Sequence, residues 1–300
     1  MILEKRLDWL VKRFTVFVVV DRYSRDAGLY YAAGPRAHSD RATARVVARS
    51  RHQPQRRREE LFGDNLKSSR FPLLMKILDS KDDLSIQVHP PAQIAPLLGG
   101  SPKTEMWYIA RALPGSKLYV GLRKGITRGQ FEEAIRSGSM ENMIHSVEPR
   151  AGQSIFIPSG RLHAIGAGML IYEIQQNSDT TYRVFDWNRV GLDGRPRDLH
   201  VRESLASIDF TDYEPSMDQP EGQNLATCQH FKVDFLELPP GTTICNPDPD
   251  RFSIITVTNG EIQDKRGNVY STGDFLLLPR GPVALDAVKS TSLLQTTLPH

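Results

Sequence analysis

Residues 151–160, AGQSIFIPSG, read as a tight turn, a short apolar run of β-type composition and a Pro/Gly corner. The same pattern returns as TGDFLLLPRG at residues 272–281, a constant offset of 121 residues. Gly152 and Gly273, Pro158 and Pro279, and Gly160 and Gly281 coincide, with apolar residues between them. Two copies of one turn–strand–corner unit in a chain of 300 residues imply two related β-barrels in tandem. The copies differ just past the corner, where His163 in the first corresponds to Ala284 in the second. If that histidine binds a metal, the first barrel alone is a working site.

Outward from the first copy, the sequence predicts many short strands separated by Pro and Gly. They are Leu73–Leu78, Leu84–Val88, Met106–Ala110, Lys117–Val120, Ser154–Ile157 and Met169–Gln175. Strands this short and frequent indicate a mainly β sandwich or barrel. One helical insert, residues 127–146, interrupts them. Thr127 is placed as an N-cap, Phe131, Ala134 and Ile135 carry helical spacing, and Gly138 is the stop; a second helix is expected over Glu141–Ser146. Toward the start, Ile2–Arg13 reads as a helix, Phe14–Val20 as a strand, and 36–58 as a loop without useful periodicity.

Composition narrows the classes. A hydrophobic fraction of 39% and a charged fraction of 24% are ordinary for a globular protein with a real core. Cys228 and Cys245 are the only cysteines and have no CxxC spacing, which argues against a disulfide framework and a thiolate zinc knuckle. Any metal must therefore be held by imidazole, carboxylate or amide oxygen. The net charge of +3 is uneven: residues 1–60 hold 14 Lys+Arg against 7 Asp+Glu, a net of +7, leaving −4 for residues 61–300. Eight arginines fall between Arg36 and Arg58 with no lysine among them, so 1–60 is an atypical basic segment. It lacks interleaved aromatics and any nucleic-acid signature, and no nucleic-acid partner is expected. The apolar run Phe14–Val20 is too short to span a bilayer, and no small-residue cleavage site follows closely. The expectation is a soluble, cytoplasmic protein without a membrane partner.

Chemistry concentrates in the middle of the chain. Gln87 and His89 are two apart in LSIQVHP (84–90), so on a strand both face one side, the barrel interior, while Ile86 and Val88 face apolar packing on the other. An inward Gln and His are costly to bury without partners. Glu105, at the head of the run Met106–Ala110, and His163 complete a set of two imidazoles, a carboxylate and an amide that suits Zn²⁺, and equally Mn²⁺ or Fe²⁺. A lone histidine is most often structural, so His38, His52, His145, His200, His230 and His300 receive no role. Trp107 and Trp187 read as packing residues.

Five stretches then resemble the type I phosphomannose isomerases, in that family's order: FPLLMKILD (71–79), LSIQVHP (84–90), KTEMWY (103–108), IPSGRLHA (157–164) and EIQQNSDTTYR (173–183). The resemblance covers roughly residues 61–300, and residues 1–60 show no counterpart of the family's early strands. It implies a bicupin, two cupin (jelly-roll) β-barrels with a small helical insert. Residues 61–200 would form the catalytic metal-binding cupin domain and 201–300 a second, metal-free cupin-like domain. It implies one Zn²⁺ per chain, with Gln87, His89, Glu105 and His163 as ligands. It also implies reversible isomerisation of a small-molecule sugar phosphate, mannose 6-phosphate, to fructose 6-phosphate through an enediol. Lys103, Asp179 and Arg183 would be catalytic, with Ser85 and Lys76 binding substrate phosphate. These types suit the reaction: a cation next to Lys103 lowers its pKa toward a usable base, Arg183 offers a charged fork, and Asp179 orients Arg183 or helps open the sugar ring. The alternative is a non-catalytic sugar-phosphate-binding bicupin with a defective N-terminal portion. The oligomeric state is not specified by the sequence.

Overall fold

Pairing between distant strands, which no local window contains, organises the chain. The computed structural model describes residues 71–187, 189, 196–220 and 222–299, together with two short strands, β1 (Arg22–Ser24) and β2 (Leu29–Ala32). The expected helix Ile2–Arg13, strand Phe14–Val20 and loop 36–58 lie outside the described residues.

The described chain divides into two compact units, one containing Leu73–Asp218 and the other Gln219–His300. The first holds β3 (Leu73–Ser80), β4 (Ile86–Val88), β5 (Glu105–Ala112), β6 (Leu118–Leu122) and β7 (Ile144–Val147). After these come β8 (Ser154–Ile157), β9 (His163–Ile165), β10 (Met169–Gln176) and β11 (Tyr182–Phe185). They form two antiparallel sheets, ordered β3-β10-β5-β8 and β11-β4-β9-β6-β7. Leu78, Trp107, Ile109 and Ile155 from one sheet pack with Leu118, Val120 and Ile165 from the other.

The second unit holds β12 (Asn224–Thr227), β13 (Lys232–Leu238), β14 (Thr243–Cys245), β15 (Ser253–Asn259) and β16 (Glu261–Asp264). It continues with β17 (Val269–Ser271), β18 (Phe275–Leu278), β19 (Ala284–Ala287) and β20 (Thr291–Thr297). Its sheets run β1-β2-β18-β15-β20-β13-β12 and β14-β19-β16-β17. The order β3-β10-β5-β8 thus recurs as β13-β20-β15-β18, and β4-β9-β6-β7 as β14-β19-β16-β17. The starts of β8 and β18, and of β9 and β19, keep the sequence offset of 121 residues. Both copies use glycine for a left-handed backbone, with φ of 88° and 92° at Gly152 and Gly273, and 94° and 117° at Gly160 and Gly281. The second interior is filled by apolar side chains, Ile255, Val257, Ile262, Leu276, Leu285 and Leu293 among them.

The helical insert is α1 (Arg128–Ser137). Thr127 and Gln130 form a reciprocal capping box, and Gly138, at φ 72°, closes the helix. Phe131 and Ala134 bury against Ile86 and Val88 of β4, so the outward face of that strand is apolar as the alternation predicts. The helix expected over Glu141–Ser146 does not form. A 3₁₀ turn at Met140–Asn142 leads directly into β7, which pairs with β6 through Leu118↔Val147. Met140 and Ile144 are spaced as helix neighbours, but sheet pairing outweighs that weak local preference. A short helix, α2 (Val201–Ser207), follows later in the first unit. No helix among the described residues is long and apolar enough to cross a membrane.

Candidate metal centre

Register places the polar side chains. On one sheet, Lys76, Glu173, Trp107 and Ile155 lie in one cross-strand row, and Gln175, Glu105 and Ile157 in the next. On the other, Arg183, Gln87, His163 and Val120 share a row. Directly opposed residues of an antiparallel pair project from the same face, so each row delivers its side chains together. Trp107 and Val120 belong to the interior cluster, and both rows therefore face the inside of the barrel. His89 is one residue beyond β4 and Lys103 two before β5.

These rows meet at one point. His89 Nε2 lies 3.6 Å from Glu105 Oε2, and His163 Nε2 lies 3.5 Å from Glu105 Oε1. The three potential ligand atoms fall within 4.8 Å of one another, and all three residues are buried. Backbone carbonyls set both tautomers: His89 Nδ1–H donates to Thr180 O at 2.8 Å, and His163 Nδ1–H to Arg161 O at 2.9 Å. Each Nε2 lone pair is thereby turned toward Glu105, as outer hydrogen bonds commonly turn metal-binding imidazoles. The Gln87 amide donates to His163 Nε2 at 3.2 Å; exchanging the amide's two ends brings its oxygen to the same place.

Charge tests the fit to a cation. Among the described residues no backbone N–H or neutral side chain donates to the buried Glu105 carboxylate. Lys103 Nζ lies 2.7 Å from Oε2, close enough to pair with its charge and donate to it. Burial, only partly offset by Lys103, pushes the Glu105 carboxyl up to about 7. Burial drives His163 down to about 3 and His89 well below its usual value, so both imidazoles are held neutral, the form that binds metal. A buried carboxylate beside two neutral imidazoles is a donor set that fits Zn²⁺. Among the described residues no other group of three His, Cys, Asp or Glu side chains converges in this way. Ala284 begins β19 where His163 begins β9.

A second layer carries charges whose part sequence reasoning missed. Glu173 Oε1 accepts from Lys76 Nζ at 2.6 Å and lies 4.0 Å from Lys103 Nζ, while Glu173 Oε2 accepts from Trp107 Nε1 at 3.2 Å. Lys76 Nζ also donates to Gln175 Oε1. Burial disfavours the ionised Glu173, but Lys76 and Lys103 together outweigh it and hold the pKa down at about 2. Burial likewise works against the Lys103 ammonium, yet Glu105 and Glu173 more than compensate and raise its pKa. Glu173 and Gln175 are two apart within an apolar strand, the same signal that marked Gln87 and His89, and were legible by that rule.

Of the remaining predicted site residues, Ser85 is buried immediately before β4 and shares the alternation of Gln87 and His89. Arg183 sits in the row of Gln87, and its Nη1 donates to Asp198 O at 2.9 Å. Asp179 is exposed in the loop between β10 and β11. Lys76 is held by Glu173 and Gln175, with 18% of its side chain still exposed.

The carbonyl that orients His89 is itself held in place. Thr180 Oγ1 accepts from Ser101 N at 2.9 Å, and a Cβ on Gly100 would meet Thr180 Cγ2 at 2.7 Å and Tyr182 Oη at 2.8 Å. Gly100→Ala is expected to displace Thr180 and weaken metal affinity about tenfold, by analogy with other losses of an outer hydrogen bond. Competitive chelator titration reads this; unchanged affinity removes Thr180 from the support of His89.

Known proteins share both pattern and fold. A family model described as "Phosphomannose isomerase type I, catalytic domain" matches residues 19–104. That match begins well before residue 61, so the family pattern extends into the segment where no counterpart was read; those residues carry none of the chemical motifs that made the later part legible. Mannose-6-phosphate isomerase ManA of Bacillus subtilis (strain 168) is 34% identical over 233 residues, covering 74% of this chain and 73% of the relative. The crystal structure of the mannose 6-phosphate isomerase from Bacillus subtilis aligns with a TM-score of 0.71 at 27% identity, covering 81% of this chain and 80% of that one. A zinc-bound mannose 6-phosphate isomerase shares the fold at a TM-score of 0.61 and 14% identity, over 82% of this chain and 84% of its own. On the strength of the ManA match across nearly three quarters of both chains, the chain belongs to the type I mannose-6-phosphate isomerase family.

Proposed function

We propose that this chain interconverts mannose 6-phosphate and fructose 6-phosphate through an enediol, with one Zn²⁺ held by Gln87, His89, Glu105 and His163. The observation that carries the reading is the convergence of two neutral imidazoles and a buried carboxylate within 4.8 Å, with Lys103 alongside. The zinc-bound relative supports the choice of metal. Bound there, the ion supplies a Lewis acid that stabilises negative charge on the sugar oxygens.

The chain's own residues supply the rest. Isomerisation removes the proton from C2, returns one to C1 and shifts a hydroxyl proton between O2 and O1, so a group must hold and release a proton beside those carbons. Lys103, 3.1 Å from His89 Nε2, is the side chain in that position. Its ammonium is favoured by Glu105 and Glu173, and a cation drawing on Glu105 would favour the neutral base. Arg183 offers a permanent positive fork to the enediolate or the phosphate. Asp179, at the exposed rim, assists ring opening, and Ser85 donates to phosphate. Lys76 acts on the phosphate end through the charge it shares with Glu173.

Metal analysis of the purified protein with a coupled mannose 6-phosphate turnover assay tests this. Chelation should abolish turnover and zinc should restore it. Stoichiometric zinc with sugar-phosphate binding but no turnover would leave a binding protein instead. Arg183→Lys should lower kcat on the order of 10²-fold, because the bidentate geometry is lost, while zinc is retained. A near-normal rate would take Arg183 out of the mechanism.

A further inference from the structure

Among the described residues, β11 is the edge strand of its sheet, paired on one side with β4. An edge leaves backbone donors and acceptors that must find partners elsewhere. At Arg183 one residue provides both. The Arg183 backbone N–H donates to His200 Nδ1 at 3.3 Å, and the His200 N–H donates to Arg183 O at 2.8 Å. His200 thus makes with Arg183 the pair of bonds that a neighbouring strand would make. The guanidinium is tied to the same segment through Asp198 O, two residues earlier. The His200 ring packs beside Tyr182, with ring centroids 6.0 Å apart. Its carbonyl accepts from Ser204 N at 2.8 Å, anchoring the segment to α2.

We propose that His200 is a positioning residue for Arg183, standing in for a missing strand at the edge of β11 and fixing where the guanidinium enters the site. Because Nδ1 accepts, the imidazole carries its proton on Nε2. The role rests on the reading of Arg183 as part of turnover, and His200 acts through that residue. An asparagine at 200 places an amide oxygen near the position of Nδ1 and can keep the bond. A glutamine places its amide near the position of Nε2 and cannot.

The experiment compares His200→Asn, His200→Gln and His200→Ala in zinc content, KM and kcat, each also in the Arg183→Lys background. His200→Ala and His200→Gln are expected to lower kcat about tenfold or more, since small misplacements of a catalytic group are costly, with zinc content and KM unchanged. His200→Asn should recover most of the rate, and the alanine change should add little once Arg183 is already lysine, as coupled residues do. Equal rates for the Asn and Gln variants, a full additional loss in the Arg183→Lys background, or loss of zinc in all three variants would overturn the proposal. Normal rates for every His200 variant alongside an impaired Arg183→Lys would overturn it while leaving the role of Arg183 intact. A normal Arg183→Lys would remove both.

Discussion

His163→Ala is expected to strip the metal and the activity from this protein together. The imidazole is fully buried, lies against Trp107 with ring centroids 5.5 Å apart, and presents Nε2 to Glu105 at 3.5 Å. Its opposite nitrogen is committed to Arg161 O, so no rotation lets another atom substitute. Removing it takes one of two imidazoles from the centre and leaves Glu105, His89 and the weaker amide of Gln87 to hold a cation. Turnover should fall by on the order of 10³-fold or more, as expected when Lewis-acid stabilisation is withdrawn. Zinc per chain, measured by mass spectrometry of the dialysed protein, should drop far below one. Retention of stoichiometric zinc would refute the ligand role.

Glu173→Gln should have the largest effect on stability. The wild-type barrel buries Lys76 and Lys103 against Glu105 and Glu173, two charges of each sign. Removing one partner of such a set leaves an uncompensated charge in a poorly solvated interior, a loss of about 3–5 kcal/mol. Glu173 has its pKa lowered from 4.5 to about 2 when folded, so its contribution is present above the unfolded value. It disappears as pH falls through the folded value. Urea unfolding between pH 7 and pH 2 reads both features: the variant should be weaker near neutrality and should lack that part of the acid-induced loss. The double change Glu173→Gln with Lys76→Met should recover much of the deficit, because it removes charges of opposite sign together. A variant as stable as wild type at pH 7 would mean that water or rearrangement already compensates Lys76.

Much of this was legible in the sequence because the signals were local. A left-handed turn needs glycine, so Gly152, Gly160, Gly273 and Gly281 announced the repeat before any strand was seen. Alternation alone put Gln87 and His89 on one face and Ile86 and Val88 on the other. Thr127 and Gly138 marked both ends of α1. The misreadings share a different cause. The segment 141–146 became a turn and a strand because β6 was available to pair with it. The part of Glu173 was missed because it lies on another strand and reaches Lys103 only through the register of β10 with β5. His200 was passed over because a solitary histidine has no pattern; the role proposed for it comes from its bonds to Arg183, 17 residues away.

The two units repeat one strand order, yet one encloses a cluster of lysines, carboxylates and imidazoles and the other an apolar cluster around Ile255, Leu276 and Leu293. They therefore answer to different circumstances. Among its described residues the second brings together no set of metal-binding side chains, so the supply of a trace element does not touch it. The other is complete only when fed with an ion, so starvation for that nutrient would reach the protein through a single half of its length.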